Sequence, residues 1–238
     1  MRRYLEERNI GFDVGVTKVP LVCQSCLFDL TVGDCTVRPD EAMGYEACVQ
    51  AETGNYRDGN YGAGTGATVG KCRGQEFCMK SGIGSYAVQI GALQVGAVAA
   101  VNALGDIFDA DTGKKVAGVL ADDKKTFLDA EEELFRSFEV IDNKFVGNTT
   151  IGILFTNAAF DKTKLCKLAG MAQDGYARSI RPVHTSADGD SIYAVSLGDV
   201  AADMDMVGAL GAKVMSKAIL RAVEHSEGAY GYPSVHDL

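Results

Sequence analysis

The sequence is short of basic side chains. Its 238 residues include 23 Lys and Arg against 32 Asp and Glu, which gives a formal net charge of −9. Binding to nucleic acid or to an anionic membrane surface requires clusters of basic side chains. The charge balance therefore argues against both kinds of partner.

The sequence also lacks an apolar run that could cross a bilayer. Its longest apolar tract, residues 90–104, is interrupted by Gln94 and Asn102 and falls short of the roughly 20 residues that a spanning helix needs. Residues 1–7 are charged and no apolar run follows them, so no secretory signal is predicted. We expect a protein without membrane insertion.

Metal-binding and disulfide patterns are sparse. The seven cysteines are an odd number scattered along the chain, which is typical of reduced thiols and predicts a cytoplasmic protein. Cys23 and Cys26 form a C-x-x-C pair, but no second pair of Cys or His lies nearby in the sequence to complete a zinc site. We expect both to be buried as small apolar residues, with a thiol or metal protein as the alternative, and we predict no metal or cofactor.

Apolar residues make up 47% of the chain, enough for a substantial core. Helical and strand patterns alternate, which predicts an α/β class and a single domain over residues 1–238. Predicted helices lie at about residues 1–9, 38–52, 125–137, 161–180 and 207–222. Predicted strands lie at residues 11–16, 86–90, 93–102, 149–156 and 192–197, with a turn at 91–92 and a polar loop at 109–125.

Residues 62–71 are rich in glycine but match no phosphate-binding loop. Thr65 and Cys72 stand where a Walker loop has Gly and Ser or Thr, and no acidic residue is placed as a dinucleotide site requires. We interpret the segment as a turn that lets the backbone approach another group closely. Lys71, at its end, is either a surface charge or a site residue.

The junction between Asn148 and Thr149 suggests a nucleophilic site. If the peptide bond there were cut, Thr149 would gain a free α-amine with a pKa of about 8, which can act as the base for its own hydroxyl. Many strands begin with Thr, so an ordinary strand start is the alternative.

Asp188 and Asp190 follow in a second short segment. Residues two apart in an extended chain face the same side, so both carboxylates can point at one locus and hold a hydroxyl and an ammonium. An ordinary acidic turn is the alternative.

A larger set of segments resembles one family. They are residues 62–71, 101–106, 147–152, 157–158, 169–178, 181–185 and 188–190. Together they resemble the L-aminopeptidase/D-esterase family, which includes β-aminopeptidases and nylon-oligomer hydrolases, and the likeness covers almost the whole chain.

The resemblance implies a four-layer αββα sandwich of the ornithine-acetyltransferase-like type, related to N-terminal nucleophile hydrolases. It also implies a precursor that cuts itself between Asn148 and Thr149. The fragments, residues 1–148 and 149–238, would remain associated in a homo-oligomer. Relatives are expected to carry a further N-terminal segment, with strands and a glycine-rich turn, before the helix that begins here at Met1.

The resemblance also implies roles for individual residues. Thr149 is the nucleophile, Asp188 and Asp190 orient it, Asn102 lies beside the oxyanion and Lys71 lies close to the nucleophile. No metal or cofactor is implied. Some members place a tyrosine hydroxyl near the nucleophile from the region around Phe28, and Phe28 has none.

We therefore expect a hydrolase that cleaves amide bonds of small peptides or amide oligomers through an acyl-enzyme. Two alternatives stay open: an N-terminal-threonine acyltransferase similar to ornithine acetyltransferases, and an inactive remnant that lacks the N-terminal segment.

Overall fold

The computed structural model describes residues 1–51, 54–136 and 147–238. Their backbone divides into two compact units, one of Met1–Cys26 and Asp34–Arg57 and the other of Leu27–Gly33 and Asp58–Leu238. The predicted helix ends at residues 52 and 137 lie outside the described residues. A single hydrolase domain, cut into residues 1–148 and 149–238, stays a prediction.

The first unit is built from short elements. It contains α1 (Arg2–Glu6), an antiparallel pair of β1 (Phe12–Asp13) and β2 (Lys18–Val19), and α2 (Glu41–Val49). The strand predicted at residues 11–16 is only two residues long, because the N–H of Val14 bonds the carbonyl of Thr17 and closes a turn.

Helix α2 begins later than predicted. Asp40 has an extended backbone and acts as the N-cap, its side chain accepting the Met43 N–H at 2.8 Å, so the helix starts at Glu41 and not at Arg38.

The expectation that Cys23 and Cys26 are buried is wrong. Both side chains are exposed. Residues 20–29 form no regular helix or strand, so this run joins no layer that could cover the two thiols.

The second unit holds the larger sheet and the long helices. In chain order it contains β3 (Thr68–Val69), β4 (Met79–Lys80), β5 (Ile83–Ile90), β6 (Leu93–Asn102), β7 (Asp106–Phe108), β8 (Lys115–Ala117), α3 (Ala130–Arg136), β9 (Thr149–Ala158), α4 (Lys162–Ser179), β10 (Ile180–Arg181), β11 (Ser191–Val200) and α5 (Met204–Glu224). None of the helices in the described ranges is long and apolar enough to cross a membrane.

Four strands form the main sheet, in the order β11-β9-β6-β5. The β5–β6 and β6–β9 pairs are antiparallel and the β9–β11 pair is parallel. The predicted hairpin with its turn at residues 91–92 is confirmed. Strands β10, β7 and β8 form a second, antiparallel sheet, and β3 pairs with β4.

Helices α4 and α5 pack on one face of the main sheet, as their apolar faces predict. Asp161 caps α4 and Asp203 caps α5, each accepting a backbone N–H in the first turn. The core between the helices and the sheet includes the fully buried side chains Val95, Leu154, Tyr176, Met215 and Ile219.

Long-range pairing changes the predicted structure of residues 109–137. Strand β8 lies inside the predicted polar loop, where it pairs with β7. Helix α3 begins at Ala130 and not at Lys125, because Phe127 forms a bridge with Leu120 and the N–H of Leu128 bonds the Val119 carbonyl. That backbone is extended, so the helix starts only after it.

Candidate active site

The junction between Asn148 and Thr149 is buried. Asn148 is 2% exposed, and Thr149, the first residue of β9, is 8% exposed. The Thr149 hydroxyl donates a hydrogen bond to the carbonyl oxygen of Asn148. The predicted nucleophile thus lies against the carbonyl group of the bond that it is predicted to cut.

The location of Thr149 follows from the strand pattern. Side chains alternate between the two faces of a strand. Positions 152 and 154 of β9 face the helices, where Gly152 lies against Tyr176 and Leu154 lies against Gly211 of α5. Thr149 therefore projects from the face opposite to α4 and α5.

A backbone N–H also binds the Asn148 carbonyl oxygen. Gly189 donates to it at 2.8 Å, while the N–H of Asn148 donates to the Ala187 carbonyl at 3.4 Å. A Cβ on residue 189 would lie 2.8 Å from the Thr149 Oγ1, so the close approach requires glycine. The Asn148 carbonyl oxygen thus accepts hydrogen bonds from the Thr149 hydroxyl and from a backbone donor that can stabilise an oxyanion.

Asn102 is a hydrogen-bonding centre opposite Thr149. The two residues are partners in the β6–β9 register, so their side chains project to the same face. The Asn102 Oδ1 accepts from the Lys71 Nζ at 2.5 Å and from the Thr68 N–H at 3.2 Å. Its Nδ2 donates to the carbonyl oxygens of Phe28, at 3.0 Å, and of Gly147, at 3.1 Å. The side-chain amide of Asn102 thus makes the four hydrogen bonds that it can form, two as acceptor and two as donor, and Asn102 is fully buried.

Lys71 is buried against Asn102 and is not a surface charge. Its Nζ also contacts the Asn102 carbonyl oxygen at 3.3 Å. Burial lowers the pKa of Lys71 to about 8, although the charges of Cys78, Asp188 and Asp29 act in the opposite direction. A lysine with this pKa is partly neutral near pH 8 and can accept a proton.

The glycine-rich turn brings Asp29 to this region. Gly66 packs directly against the Asp29 carboxylate, with no room for a Cβ between them. The interpretation as a turn for close approach is confirmed for residues 62–67, whereas Thr68–Val69 forms β3.

Asp188 is held within its own turn. Its Oδ2 accepts from the Thr185 N–H at 3.0 Å and from the Thr185 hydroxyl at 2.6 Å. Asp188 also forms an isolated parallel bridge with Asn148, which fixes this turn beside the junction.

Asp190 binds the residue after the nucleophile. Its Oδ1 accepts the Thr150 N–H at 2.7 Å, and its Oδ2 lies 2.9 Å from the His184 Nδ1. Burial raises the pKa of Asp190, and the Asp188 charge adds to the rise, while the contacts with Thr150 and His184 oppose it. Tyr176 stacks on His184, and its hydroxyl lies 3.2 Å from the Thr150 carbonyl oxygen.

Among the described residues, no group of three or more His, Cys, Asp or Glu is arranged to hold a metal ion. The chemical groups at the junction are a hydroxyl, an amide carbonyl, a backbone N–H donor and a buried amine. These groups suit acyl transfer from a carbonyl carbon to a hydroxyl oxygen.

The chain resembles known peptidases over almost its whole length. The model of peptidase family S58 matches residues 1–235. The chain belongs to peptidase family S58. It is 32% identical over 255 residues to an uncharacterized aminopeptidase of Mycobacterium leprae, covering 98% of this chain and 68% of that protein. It is 26% identical over 239 residues to the 6-aminohexanoate-oligomer endohydrolase of a Kocuria species, covering 90% of this chain and 64% of that protein.

The fold of the S58 chain is that of an N-terminal nucleophile hydrolase. It resembles the L-aminopeptidase D-Ala-esterase/amidase of Ochrobactrum anthropi, described as a variant of that fold, with a TM-score of 0.51 and 19% identity. The match covers 76% of this chain and 48% of that one. The predicted αββα fold class and family are confirmed. The S58 chain spans about two thirds of the length of the two sequence relatives and about half of the solved structure.

The structure of the S58 chain brings together the predicted site residues Lys71, Asn102, Thr149, Asp188 and Asp190. Their catalytic roles, and cleavage at Asn148, stay predictions. The sequence did not reveal the Gly189 N–H, since a backbone donor leaves no side-chain pattern. The glycine between two aspartates was the available signal.

Proposed function

We propose that this chain is a self-processing hydrolase that uses Thr149 as an N-terminal nucleophile to cleave amide bonds of small peptides or amide oligomers. One observation carries the proposal. The Thr149 hydroxyl and the Gly189 N–H meet at the carbonyl oxygen of Asn148, in a buried site.

In the first step, the Thr149 Oγ attacks the carbonyl carbon of Asn148 and Lys71, as the neutral amine, takes the hydroxyl proton. The Gly189 N–H stabilises the negative charge on the carbonyl oxygen. The carbon–nitrogen bond then breaks, and the nitrogen of Thr149 receives the proton from Lys71. The product is an ester between Asn148 and the Thr149 Oγ.

The α-amine of Thr149 is free once the carbon–nitrogen bond has broken. Water then hydrolyses the ester, which leaves a carboxylate on Asn148 and restores the Thr149 hydroxyl. The amine now serves as the base for the Thr149 hydroxyl when it attacks a substrate carbonyl. An acyl-enzyme forms, the amine product leaves, and water releases the acid product. Asp188 and Asp190 orient the ammonium and the hydroxyl.

Asn102 acts in the second reaction, the cleavage of a substrate by the processed enzyme. In the uncut chain, its Nδ2 donates to the Gly147 carbonyl oxygen, which belongs to the segment that ends at the cut. When this segment moves away, that N–H can donate to the substrate oxyanion. The Phe28 carbonyl keeps the amide in the same orientation.

The names of the relatives support the bond class, since one is an aminopeptidase and the other an endohydrolase of 6-aminohexanoate oligomers. We further propose that the two fragments stay associated in a cytoplasmic homo-oligomer.

Denaturing mass spectrometry of the purified, folded protein tests the first step. We expect two fragments that meet between Asn148 and Thr149. A single intact chain would contradict the proposal. A panel of small peptide amides and 6-aminohexanoate oligomers then tests the second step, with Thr149→Val as the inactive control.

A further inference from the structure

The side chain of Asn148 is buried without hydrogen bonds. Its Oδ1 and Nδ2 are inaccessible to solvent, and neither has a partner among the described residues. Buried amide groups in proteins are nearly always paired, because an unpaired one loses its hydration without replacement. Among residues 1–51, 54–136 and 147–238, the pocket that holds this side chain therefore offers no polar group that recognises it.

The main chain of Asn148, unlike its side chain, is fully hydrogen-bonded. Its carbonyl oxygen accepts from the Gly189 N–H and the Thr149 hydroxyl, and its N–H donates to the Ala187 carbonyl. The site thus binds the backbone of residue 148 specifically and encloses its side chain without polar contacts.

The next step rests on the proposed function. The ester formed during self-cleavage is itself an acyl-enzyme, in which Asn148 is the acyl residue on the Thr149 Oγ. A substrate acyl group bonded to the same oxygen must bring its carbonyl to the same region. Its side chain then extends into the space that Asn148 leaves, and its α-amine faces the Ala187 carbonyl.

We propose that the pocket now filled by the Asn148 side chain is the acyl-residue subsite of the processed enzyme, and that it selects an uncharged, apolar side chain of leucine size. Leucine has nearly the shape of asparagine but carries no polar atom that loses hydration. Aspartate would bury an unpaired carboxylate in this pocket, where the charge loses its hydration without replacement.

The chemistry of the pocket can be tested without catalysis. In the uncleavable Thr149→Val background, we expect Asn148→Leu to raise the melting temperature and Asn148→Asp to lower it. The matched control is Asn157→Leu at the other end of β9, where the Asn157 amide bonds the Gln94 N–H at 2.7 Å and the Ala92 carbonyl at 2.8 Å. This control should lower the melting temperature. If Asn148→Leu lowers it as well, the pocket is not apolar and the inference is wrong.

Specificity is then measured on the processed parent enzyme with the p-nitroanilides of leucine, asparagine and aspartate. We expect kcat/KM for leucine to exceed that for asparagine by about tenfold or more, the scale on which apolar pockets discriminate. Aspartate should be cleaved least. A processed enzyme that prefers asparagine or aspartate would overturn this inference and leave the proposed function intact. A folded parent chain that remains uncut would overturn both.

Discussion

The backbone nitrogen of Gly189 lies 2.8 Å from the carbonyl oxygen of Asn148 and donates a hydrogen bond to it. The hydroxyl of Thr149 donates a second hydrogen bond to the same oxygen. The carbonyl is therefore polarised before any bond is broken. A donor already in place needs no rearrangement when negative charge develops on the oxygen.

Replacing Gly189 by alanine should slow self-cleavage. The new Cβ would lie 2.8 Å from the Thr149 Oγ1, so either the hydroxyl or the N–H donor must move. Loss of one oxyanion donor typically reduces rates by about a hundredfold. The rate is measured as the disappearance of the intact chain in time-resolved gel electrophoresis.

The matched control for this variant is Gly170→Ala. Gly170 lies in α4, and a Cβ there meets no other atom within 4 Å. The control should cleave at the parent rate and be slightly more stable, since alanine favours a helix by about 1 kcal/mol over glycine. Equal cleavage rates in the two variants would contradict a role for the Gly189 N–H.

Self-cleavage should depend on pH through Lys71. Burial lowers the pKa of this lysine to about 8, so the neutral amine that accepts the Thr149 proton is scarce at pH 6. We expect the rate to rise about tenfold per pH unit below pH 8 and to level off above it. Lys71→Met should remove this dependence and most of the rate. An unchanged profile in that variant would assign the base to another group.

The same shift predicts how folding stability depends on pH. In the folded chain the pKa of Lys71 is about 8, and its ordinary value is 10.5. Between these values the unfolded chain binds more protons, so the contribution of Lys71 to the free energy of unfolding rises with pH over this window. Below pH 8, Lys71 is protonated in both the folded and the unfolded chain, so it adds no pH dependence to the free energy of unfolding.

Urea unfolding in the Thr149→Val background measures this effect without cleavage. Lys71→Met should reduce the rise in stability between pH 8 and 10.5 but not abolish it. Lys80, whose pKa burial also lowers to about 8, contributes over the same window. If Lys71→Met leaves this rise in stability unchanged, Lys71 stays charged in the folded chain between pH 8 and 10.5, which contradicts the prediction.

Asn102→Ala should destabilise the fold and slow self-cleavage, because the Asn102 Oδ1 holds the Lys71 amine that takes the Thr149 proton. The substitution removes the acceptor of the Thr68 N–H and the shorter of the two contacts of the buried Lys71 amine, and it leaves two carbonyl oxygens without this donor. We expect a loss of about 3 kcal/mol in the free energy of unfolding. Asn157→Ala, which removes two bonds far from the junction, should cost about 1 kcal/mol and leave cleavage unchanged. Equal losses in the two variants would argue against a special role for Asn102.

Local patterns predicted the elements that carry the site. The β-branched run at residues 149–156 and the apolar spacing of residues 165–180 indicated β9 and α4, because each buries a face whose period shows in the sequence. The residue at which α3 begins could not be predicted from local sequence patterns. It depends on the pairing of Phe127 with Leu120, a contact that local propensity does not include.

The composition of the site was predictable mainly through the family resemblance. Asn102 and Thr149 lie far apart in the chain, and only the register of β6 and β9 brings them opposite each other. The spacing of Asp188 and Asp190 suggested a shared locus. In the uncut chain their carboxylates bind Thr185 in one case and Thr150 with His184 in the other.

Two adjacent threonines allow the most direct test of the account. Thr149 and Thr150 are both buried at the start of β9, but the Thr150 Oγ1 has no hydrogen-bond partner among the described residues. Thr149→Val and Thr150→Val each remove one hydroxyl and keep the side-chain shape. Denaturing mass spectrometry of the folded variants should show an intact chain for Thr149→Val and two fragments, ending at Asn148 and beginning at Thr149, for Thr150→Val. Cleavage of the Thr149→Val chain at this junction would contradict the account.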